Sequence, residues 1–274
     1  MSTVLITTDF SAPSRHALDY ACLLLRNKDI SLDLLHIFEI PVGYTTDGMA
    51  LAAIGDATGR AEERMQDELE RIRAAYPGIS IAGRVITGSF LETLRQEAKL
   101  TGAPFIVLGT AGFTDLYLGD DDPLNALRTI PAPVLFIPHG VPLKPIRNIA
   151  YASNYASAGP QIPVRDIMDW IGLMDANLQV VHTDPNPYGT DVQQMVGENW
   201  LKKHLAPLMP AFHWIRDTDV IHGLSGFIAS NNIDCVLVVP RKYGIWQSLF
   251  HQSRTKALAR LNKIPVIAFH SNEE

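Results

Sequence analysis

Two matching stretches decide the fold of this chain: Val4-Leu-Ile-Thr-Thr-Asp9-Phe10 near its start and Ile149-Ala-Tyr-Ala-Ser-Asn154-Tyr155 near its middle. Each is a short, mainly apolar run that ends in a polar residue followed by an aromatic one. An apolar run of this length is typical of a buried strand. Because the pattern recurs after about half of the 274 residues, the sequence predicts an internal repeat.

The repeat continues through further strand-like runs that occur in the same order in both halves. The matched runs are Leu32–Ile37 with Leu178–Thr183, Phe105–Gly109 with Val236–Pro240, and Ile130–Ile137 with Lys263–Phe269. Segments with helical periodicity separate them: Ser14–Arg26, Gly59–Ala75, Leu91–Leu100, Val164–Met174, Val192–Leu208 and Leu224–Asn231. Strands that alternate with amphipathic helices are typical of a parallel sheet covered by helices on both faces. We therefore predict the α/β class, with two tandem, doubly wound, parallel-sheet (Rossmann-like) domains at 1–140 and 146–274.

The composition predicts a folded, acidic protein without a general affinity for polyanions. Hydrophobic residues make up 47% and charged residues 19% of the chain, and the net charge is −6 with a pI near 5.8. An acidic surface repels phosphate backbones and anionic lipid, so we expect neither nucleic acid nor a membrane as a partner. The start of the chain has no basic and apolar leader, and no apolar run reaches the roughly 20 residues of a spanning helix. We therefore expect a cytoplasmic protein.

The ends of the predicted strands carry the residues that could bind a ligand, because ligands of open parallel sheets lie at the carboxyl ends of the strands. Thr8 and Asp9 follow the first strand, where a carboxylate can accept hydrogen bonds from an adenine amino group or a ribose hydroxyl. Asp9 or Ser11 can equally cap the following helix. Gly109 and Gly112 follow a later strand and would let backbone N–H groups approach a phosphate.

Two polar segments allow more than one interpretation. Asp120-Asp121-Asp122 can start a helix at Pro123, or it can hold a metal ion. Ser253 and Thr255 can cap the last helix of the second half, or they can bind an anion at its N-terminus.

Cysteine and histidine usage gives no sign of a catalytic centre. Cys22 and Cys235 lie in apolar patterns without CxxC spacing, so we expect both in the core. His36 and His182 occupy matching strand ends, which indicates repeated architecture. The sequence contains no nucleophile elbow, P-loop or dinucleotide fingerprint, so nucleophilic catalysis is unsupported.

The chain resembles the universal stress protein family in its tandem, two-domain form, over essentially its whole length. The resemblance rests on Thr8-Asp-Phe-Ser-Ala-Pro-Ser14, Leu35-His-Ile37, Val85-Ile-Thr-Gly88, Gly109-Thr-Ala-Gly112, Pro133-Val-Leu-Phe-Ile137 and Leu249-Phe-His-Gln-Ser-Arg-Thr-Lys256. It implies a fold similar to the adenine nucleotide α-hydrolases. It also implies a non-catalytic stress-response module that acts through partner and dimer surfaces.

The same resemblance implies a site for ATP, ADP or AMP, and no metal ion. The implied cofactor-binding residues are Thr8, Asp9, Ile37, Gly88, Gly109 and Gly112 in the first half, and Ser253 and Thr255 in the second. Family domains pair through their last strands, so Val134–Ile137 and Val266–Phe269 are expected to form a homodimer contact or an intramolecular pseudo-dimer. The alternatives are a slow metal-dependent ATP hydrolase that uses Asp120–Asp122, and a structural dimerisation scaffold that binds no nucleotide.

Overall fold

The structure, a computed structural model, describes residues 2–39, 48–111, 129–184, 191–239 and 263–271. Within these ranges the chain forms a ten-stranded sheet. The strands are β1 (Ser2–Thr7), β2 (Ile30–Phe38), β3 (Ser80–Thr87), β4 (Ile106–Thr110), β5 (Val134–Pro138), β6 (Asn148–Ala152), β7 (Asn177–Asp184), β8 (Ala211–Arg216), β9 (Cys235–Val238) and β10 (Val266–Ala268). Their order across the sheet is β3-β2-β1-β4-β5-β10-β9-β6-β7-β8.

Helices connect the strands and cover the sheet. They are α1 (Ala12–Leu25), α2 (Gly48–Ala75), α3 (Phe90–Thr101), α4 (Val164–Met174), α5 (Val192–His204) and α6 (Val220–Ser230), with 3₁₀ turns at Tyr155–Ser157 and Ala206–Leu208. Side-chain caps fix several helix starts: Ser11 caps α1, Asp191 forms a capping box with Gln194 at α5, and Asp219 caps α6. In α1 the buried residues Ala17, Leu18, Ala21, Cys22 and Leu25 recur at helical spacing, so one face of this helix packs on the sheet.

Each half is a parallel, doubly wound sheet, as the sequence predicted. In the first half the strand order is β3-β2-β1-β4-β5, so the direction of winding reverses between β1 and β4. In the second half the same reversal falls between β6 and β9. A reversal of this kind opens a crevice at the carboxyl ends of the two strands, where ligands of such sheets bind.

The two halves join through an antiparallel contact between β5 and β10. The paired residues are Val266 with Phe136, Ile267 with Leu135, and Ala268 with Val134. The expected contact between the last strands of the halves is therefore present within one chain. The buried side chains form one hydrophobic cluster on each face of the sheet, and each cluster contains residues of both halves. The halves thus share their cores across the joint.

A buried carboxylate anchors the segment that connects β5 to β6. Asp234 accepts hydrogen bonds from the Lys144 ammonium group at 2.5 Å and from the backbone amides of Arg147 and Asn148 at 3.0 Å each. Burial raises the pKa of Asp234, but these donors outweigh it and hold the pKa below its ordinary value. The connection is therefore tied to the amino end of β9.

The sequence analysis missed the two edge strands and the beginning of α2. In β3 and β8 most positions are exposed or half-buried, and neither strand contains a continuous apolar run. An edge strand has a sheet neighbour on one side only, so its side chains need not be apolar on both faces. Helix α2 begins at Gly48, earlier than the predicted Gly59, because glycines interrupt the periodicity of its first turns.

Both cysteines lie where the sequence predicted them. Cys22 and Cys235 are buried in the hydrophobic cluster that contains α1 and α4. Among the residues described, no helix has both the length and the apolar character required to cross a membrane.

Candidate functional site

Thr8 is the buried anchor at the carboxyl end of β1. Its amide donates to the Leu35 carbonyl at 2.8 Å, and its carbonyl accepts a hydrogen bond from Nδ1 of His36 at 2.7 Å. Its hydroxyl lies 3.1 Å from the Ser14 hydroxyl and accepts the Phe10 amide at 2.9 Å. These bonds give Thr8 a structural role in shaping the loop between β1 and α1.

Asp9 combines a turn-forming role with an exposed carboxylate. Its Oδ1 accepts the Ser11 amide at 2.9 Å, while the Ser11 hydroxyl accepts the Ser14 amide and caps α1. Ser11 is therefore the helix cap, and Asp9 braces the turn before it. Burial raises the pKa of Asp9, but hydrogen bonds from the hydroxyl and amide of Ser11 and from the Ser14 hydroxyl lower it overall. Asp9 is ionised at neutral pH and can accept hydrogen bonds from a ligand.

Phe10, the residue after Asp9, is buried and packs between aromatic and basic side chains. Its backbone lies in the left-handed region, with φ at 64°, which is rare for a residue with a large side chain. The His36 ring centre lies 4.6 Å from that of Phe10, and the Arg64 guanidinium lies 4.5 Å from the ring centre. Arg64 comes from α2, so the sequence analysis had no local signal that could associate it with this loop. Strained backbone of this kind is enriched at functional sites.

Ile37 and Gly88 end the two neighbouring strands at the same edge. Ile37 pairs with Ile86 in the β2 and β3 ladder and is half-buried. The Gly88 amide donates to the Phe38 carbonyl at 3.1 Å, and its φ is 156°. A Cβ at Gly88 would lie 2.6 Å from Oγ1 of Thr93, so this glycine allows close packing of the loop before α3.

Gly109 lies at the end of β4 and is used for packing. A Cβ at this position would lie 2.5 Å from the Pro13 carbonyl oxygen and 2.8 Å from Cα of Ser14. The first turn of α1 therefore sits directly against β4, which brings Ser11 and Ser14 to the reversal point between β1 and β4. The remaining sequence-predicted positions, Gly112, Asp120–Asp122, Ser253 and Thr255, lie outside the described residues.

The loop after β6 repeats three hydrogen bonds of the loop after β1, but the Tyr155 amide lies 3.5 Å from Nδ1 of His182, whereas the Phe10 amide donates to the Thr8 hydroxyl. The Ser153 amide donates to the Val181 carbonyl at 2.9 Å, and Nδ1 of His182 donates to the Ser153 carbonyl at 3.1 Å. Tyr155 stacks on His182 with ring centres 4.7 Å apart, and the Asn154 side chain accepts the Ala156 amide at 3.2 Å. The matched histidines are thus repeated architecture: each one fixes the carbonyl at the end of the first strand of its half.

The two halves differ in the solvent exposure of the carboxyl end of their second strand, β2 or β7. In the first half His36, Ile37 and Phe38 at the end of β2 are only half-buried. In the second half the equivalent strand end, His182 to Asp184, is at most 5% exposed.

Helix α5 closes the second copy. A Cβ at Gly197 of this helix would lie 1.8 Å from the Tyr155 carbonyl oxygen, so only glycine permits the approach. Nε2 of Gln194 lies 3.3 Å from Nε2 of His182 and donates to it, because Nδ1 of that ring already carries the proton. Burial lowers the pKa of His182, against the opposing effect of the Ser153 carbonyl, so the ring is neutral at pH 7.

No group of three or more His, Cys, Asp or Glu side chains suited to a metal ion occurs in the described parts of the chain. The carboxylates Asp120–Asp122, which the sequence suggested as a metal site, are outside those parts.

Comparison with known proteins gives a consistent family match. Residues 1–138 match the model of the universal stress protein family. A universal stress protein from Archaeoglobus fulgidus shares the fold with a TM-score of 0.71 at 16% identity, over 98% of each chain. A putative universal stress protein from Pseudomonas aeruginosa has a TM-score of 0.56 at 15% identity, over 99% of this chain and 93% of its own.

A half-length structure is also similar: a universal stress protein family protein from Arabidopsis thaliana, solved with AMP bound. It covers 50% of this chain and 91% of its own, with a TM-score of 0.36 at 14% identity. No curated protein matches the chain.

Proposed function

The chain belongs to the universal stress protein family, and we propose that it is a non-catalytic module whose first half binds an adenine nucleotide, preferably AMP or ADP. The nucleotide would lie at the carboxyl edge of β1, β2 and β4. Binding would modulate the contacts that the surfaces of the protein make with partners.

The observation that carries the proposal is the exposed, ionised carboxylate of Asp9 beside a half-open strand edge. A carboxylate accepts hydrogen bonds and cannot donate them, so it suits the adenine amino group or the ribose hydroxyls. Ile37 and Phe38 on the neighbouring strand offer apolar surface for the base, because neither is fully buried. The carboxyl edge at the reversal point is where ligands of doubly wound sheets bind.

The second half lacks the two features that favour nucleotide binding in the first half. Its equivalent of Asp9 is Asn154, whose amide carries no charge, and its β7 end is buried beneath α5. The two loops share three hydrogen bonds but differ in charge and in solvent exposure. Nucleotide binding is therefore proposed for the first half alone.

The preference for few phosphates rests on packing and charge. The space directly over Gly109 is occupied by the backbone of Pro13 and Ser14. Three consecutive aspartates, 120–122, follow in the sequence, and carboxylates repel phosphate oxygens.

Isothermal titration with AMP, ADP and ATP, each with and without magnesium, tests the proposal. We expect AMP or ADP to bind and Asp9→Ala to weaken binding at least tenfold, as expected for a lost charge-assisted hydrogen bond. Asn154→Ala, at the equivalent place in the second half, is the matched control and should leave the affinity unchanged.

Two outcomes would refute this function. One is the absence of heat with every nucleotide, which would leave the scaffold interpretation. The other is binding that survives Asp9→Ala and disappears in Asn154→Ala, which would move the site to the second half. Magnesium-dependent turnover of ATP would instead support a hydrolase.

A further inference from the structure

Arg64 of α2 is an exposed cation that lies against the loop of Asp9. Its guanidinium carbon is 4.5 Å from the ring centre of Phe10, the residue that follows Asp9. The Phe10 ring is 4% exposed, so it supports the guanidinium from the inside of the protein. An arginine that rests on an aromatic ring keeps its N–H groups available for hydrogen bonds to other partners. Helix α2 therefore contributes a cation to the edge at which the nucleotide is proposed to bind.

The carboxylates between α1 and α2 are already paired with other arginines. Glu68, one turn after Arg64, is 1% exposed and binds Arg15 at 3.1 Å and Arg71 at 2.8 Å. Asp19 of α1 binds Arg71 at 2.9 Å. Arg64 itself forms no ion pair and no side-chain hydrogen bond with any residue that the structure describes. Its fork of N–H donors is therefore available to a ligand.

The aromatic side chains beside the loop after β1 form a row with an apolar end and a cationic end. Phe38 stacks on His36 with ring centres 5.8 Å apart. The His36 ring centre lies 4.6 Å from that of Phe10, and Phe10 contacts Arg64. The exposed carboxylate of Glu39 follows directly on Phe38 at the apolar end. Because a carboxylate repels a phosphate and a guanidinium attracts it, the row has the polarity of a nucleoside monophosphate.

We propose that Arg64 binds the phosphate of the nucleotide and makes the first half specific for a nucleoside monophosphate over the free nucleoside, an inference that rests on the proposed function. The phosphate lies at the Arg64 end of the row, the ribose lies beside Asp9, and the base lies toward Phe38. A guanidinium fork donates two parallel hydrogen bonds to one phosphoryl group, and these charge-assisted bonds are stronger than neutral ones. The cation also offsets the repulsion between the phosphate and the Asp9 carboxylate.

Arg15, in the first turn of α1, is less suited to bind a phosphate than Arg64. Its guanidinium pairs with Glu68, and this buried carboxylate would lose a partner if Arg15 turned to a ligand. Arg64 can bind a phosphate without breaking a contact of this kind, so binding at Arg64 has the lower cost.

Calorimetric titration of adenosine and of AMP separates the phosphate contact from the rest of the site. Arg64→Ala should weaken AMP binding at least tenfold and leave adenosine binding within about twofold of the unmodified protein. Asp9→Ala, by contrast, should weaken the binding of both ligands, because adenosine keeps the groups that contact the carboxylate. A merely structural role of Arg64 in supporting the Phe10 loop would also weaken both.

Two further variants control for charge and for shape. Arg64→Lys keeps the positive charge but loses the fork, so its AMP affinity should fall between those of the unmodified protein and Arg64→Ala. Arg165→Ala removes an arginine of α4 whose side chain is 92% exposed, and it should leave AMP binding unchanged. Because Arg64 is exposed, its substitution should change the urea midpoint little.

Equal AMP affinity in Arg64→Ala and the unmodified protein would overturn the role of Arg64 and leave the nucleotide site intact. Equal weakening of adenosine and AMP in Arg64→Ala would also overturn it, because the side chain would then act on the loop or the base and not on the phosphate. Binding of neither ligand to the unmodified protein would refute the proposed function, and the role of Arg64 with it.

Discussion

At the scale of single residues, two fully buried tyrosines differ in whether their hydroxyl groups form hydrogen bonds. Tyr20 is fully buried, and its hydroxyl has no partner among the described residues. Tyr155 is equally buried, but its hydroxyl donates to the Val180 carbonyl at 3.3 Å, with the His213 carbonyl at 3.5 Å. Burial raises the pKa of both hydroxyls far above the ordinary value, so the two residues differ in hydrogen bonding and not in ionisation. The buried hydroxyl therefore destabilises the fold at Tyr20 and stabilises it at Tyr155.

We predict that Tyr20→Phe leaves the free energy of unfolding unchanged or raises it by about 1 kcal/mol, because an unsatisfied hydroxyl is removed. Tyr155→Phe should lower it by about 1 kcal/mol, because a buried carbonyl loses its donor. Urea titration of both variants measures the difference. A larger loss in Tyr20→Phe than in Tyr155→Phe would contradict the assignment.

Asp234 gives a prediction for the dependence of stability on pH. Its pKa is lowered in the folded state, so the stabilisation is complete above the unfolded value near 4 and is lost as the pH falls through the folded value. Asp234→Asn should lower the free energy of unfolding by about 2 to 4 kcal/mol at pH 7, and by less at pH 3. Urea midpoints across this range provide the measurement.

Asp175→Asn is the matched control for the Asp234 change. Asp175 forms an ion pair with Arg147 at 2.8 Å, but both of these side chains are exposed. Surface ion pairs contribute little, so the loss should stay below about 1 kcal/mol. Equal losses in the two variants would mean that burial at Asp234 is unimportant.

At the scale of elements, glycine decides how closely helices approach the strand ends. Gly197 lets α5 contact the Tyr155 carbonyl, and Gly109 lets α1 contact β4. A Cβ at Gly172 in α4 would meet no neighbouring atom within 4 Å. These positions have the same residue type for different reasons.

We predict opposite effects for two helical glycines. Gly172→Ala should raise the free energy of unfolding by about 0.5 to 1 kcal/mol, because alanine is the better helix former. Gly197→Ala should lower it by about 1 to 3 kcal/mol, because the added methyl group overlaps a backbone oxygen that cannot move freely. Chemical denaturation distinguishes the two, and a gain in stability for Gly197→Ala would disprove the close approach of α5.

At the scale of the whole molecule, the joint connects the hydrophobic cores of the two halves. Among the described residues, three residue pairs connect β5 and β10, and both hydrophobic clusters extend across the joint. Unfolding one half would therefore expose buried side chains of the other. The exposure would add an unfavourable hydrophobic term to any partly folded state.

We predict that the two halves unfold in one transition. All four tryptophans lie in the second half, so their fluorescence reports that half, while far-ultraviolet circular dichroism reports both. The two urea curves should coincide. Ile267→Ala should lower the free energy of unfolding from both curves by the same amount, about 2 to 5 kcal/mol, because this side chain is fully buried at the joint. Separate transitions would indicate independent halves.

The sequence by itself determined the repeat and the α/β class, because buried parallel strands leave continuous apolar runs and the two copies keep the same order. The pairing of the last strands was expected from the family resemblance and not from these patterns. The sequence also placed Thr8 and Asp9 directly after the first strand and His36 near the end of the second, as the structure has them.

Only the tertiary structure decided which copy is open and what surrounds it. The Arg64 contact with Phe10, the closure of the second copy by Gly197 and the ion pair between Glu68 and Arg15 all join residues far apart in sequence. Local patterns of hydrophobicity record which face of an element is buried, but not which element covers it. Edge strands β3 and β8 escaped prediction for the related reason that their partial burial leaves only a weak pattern.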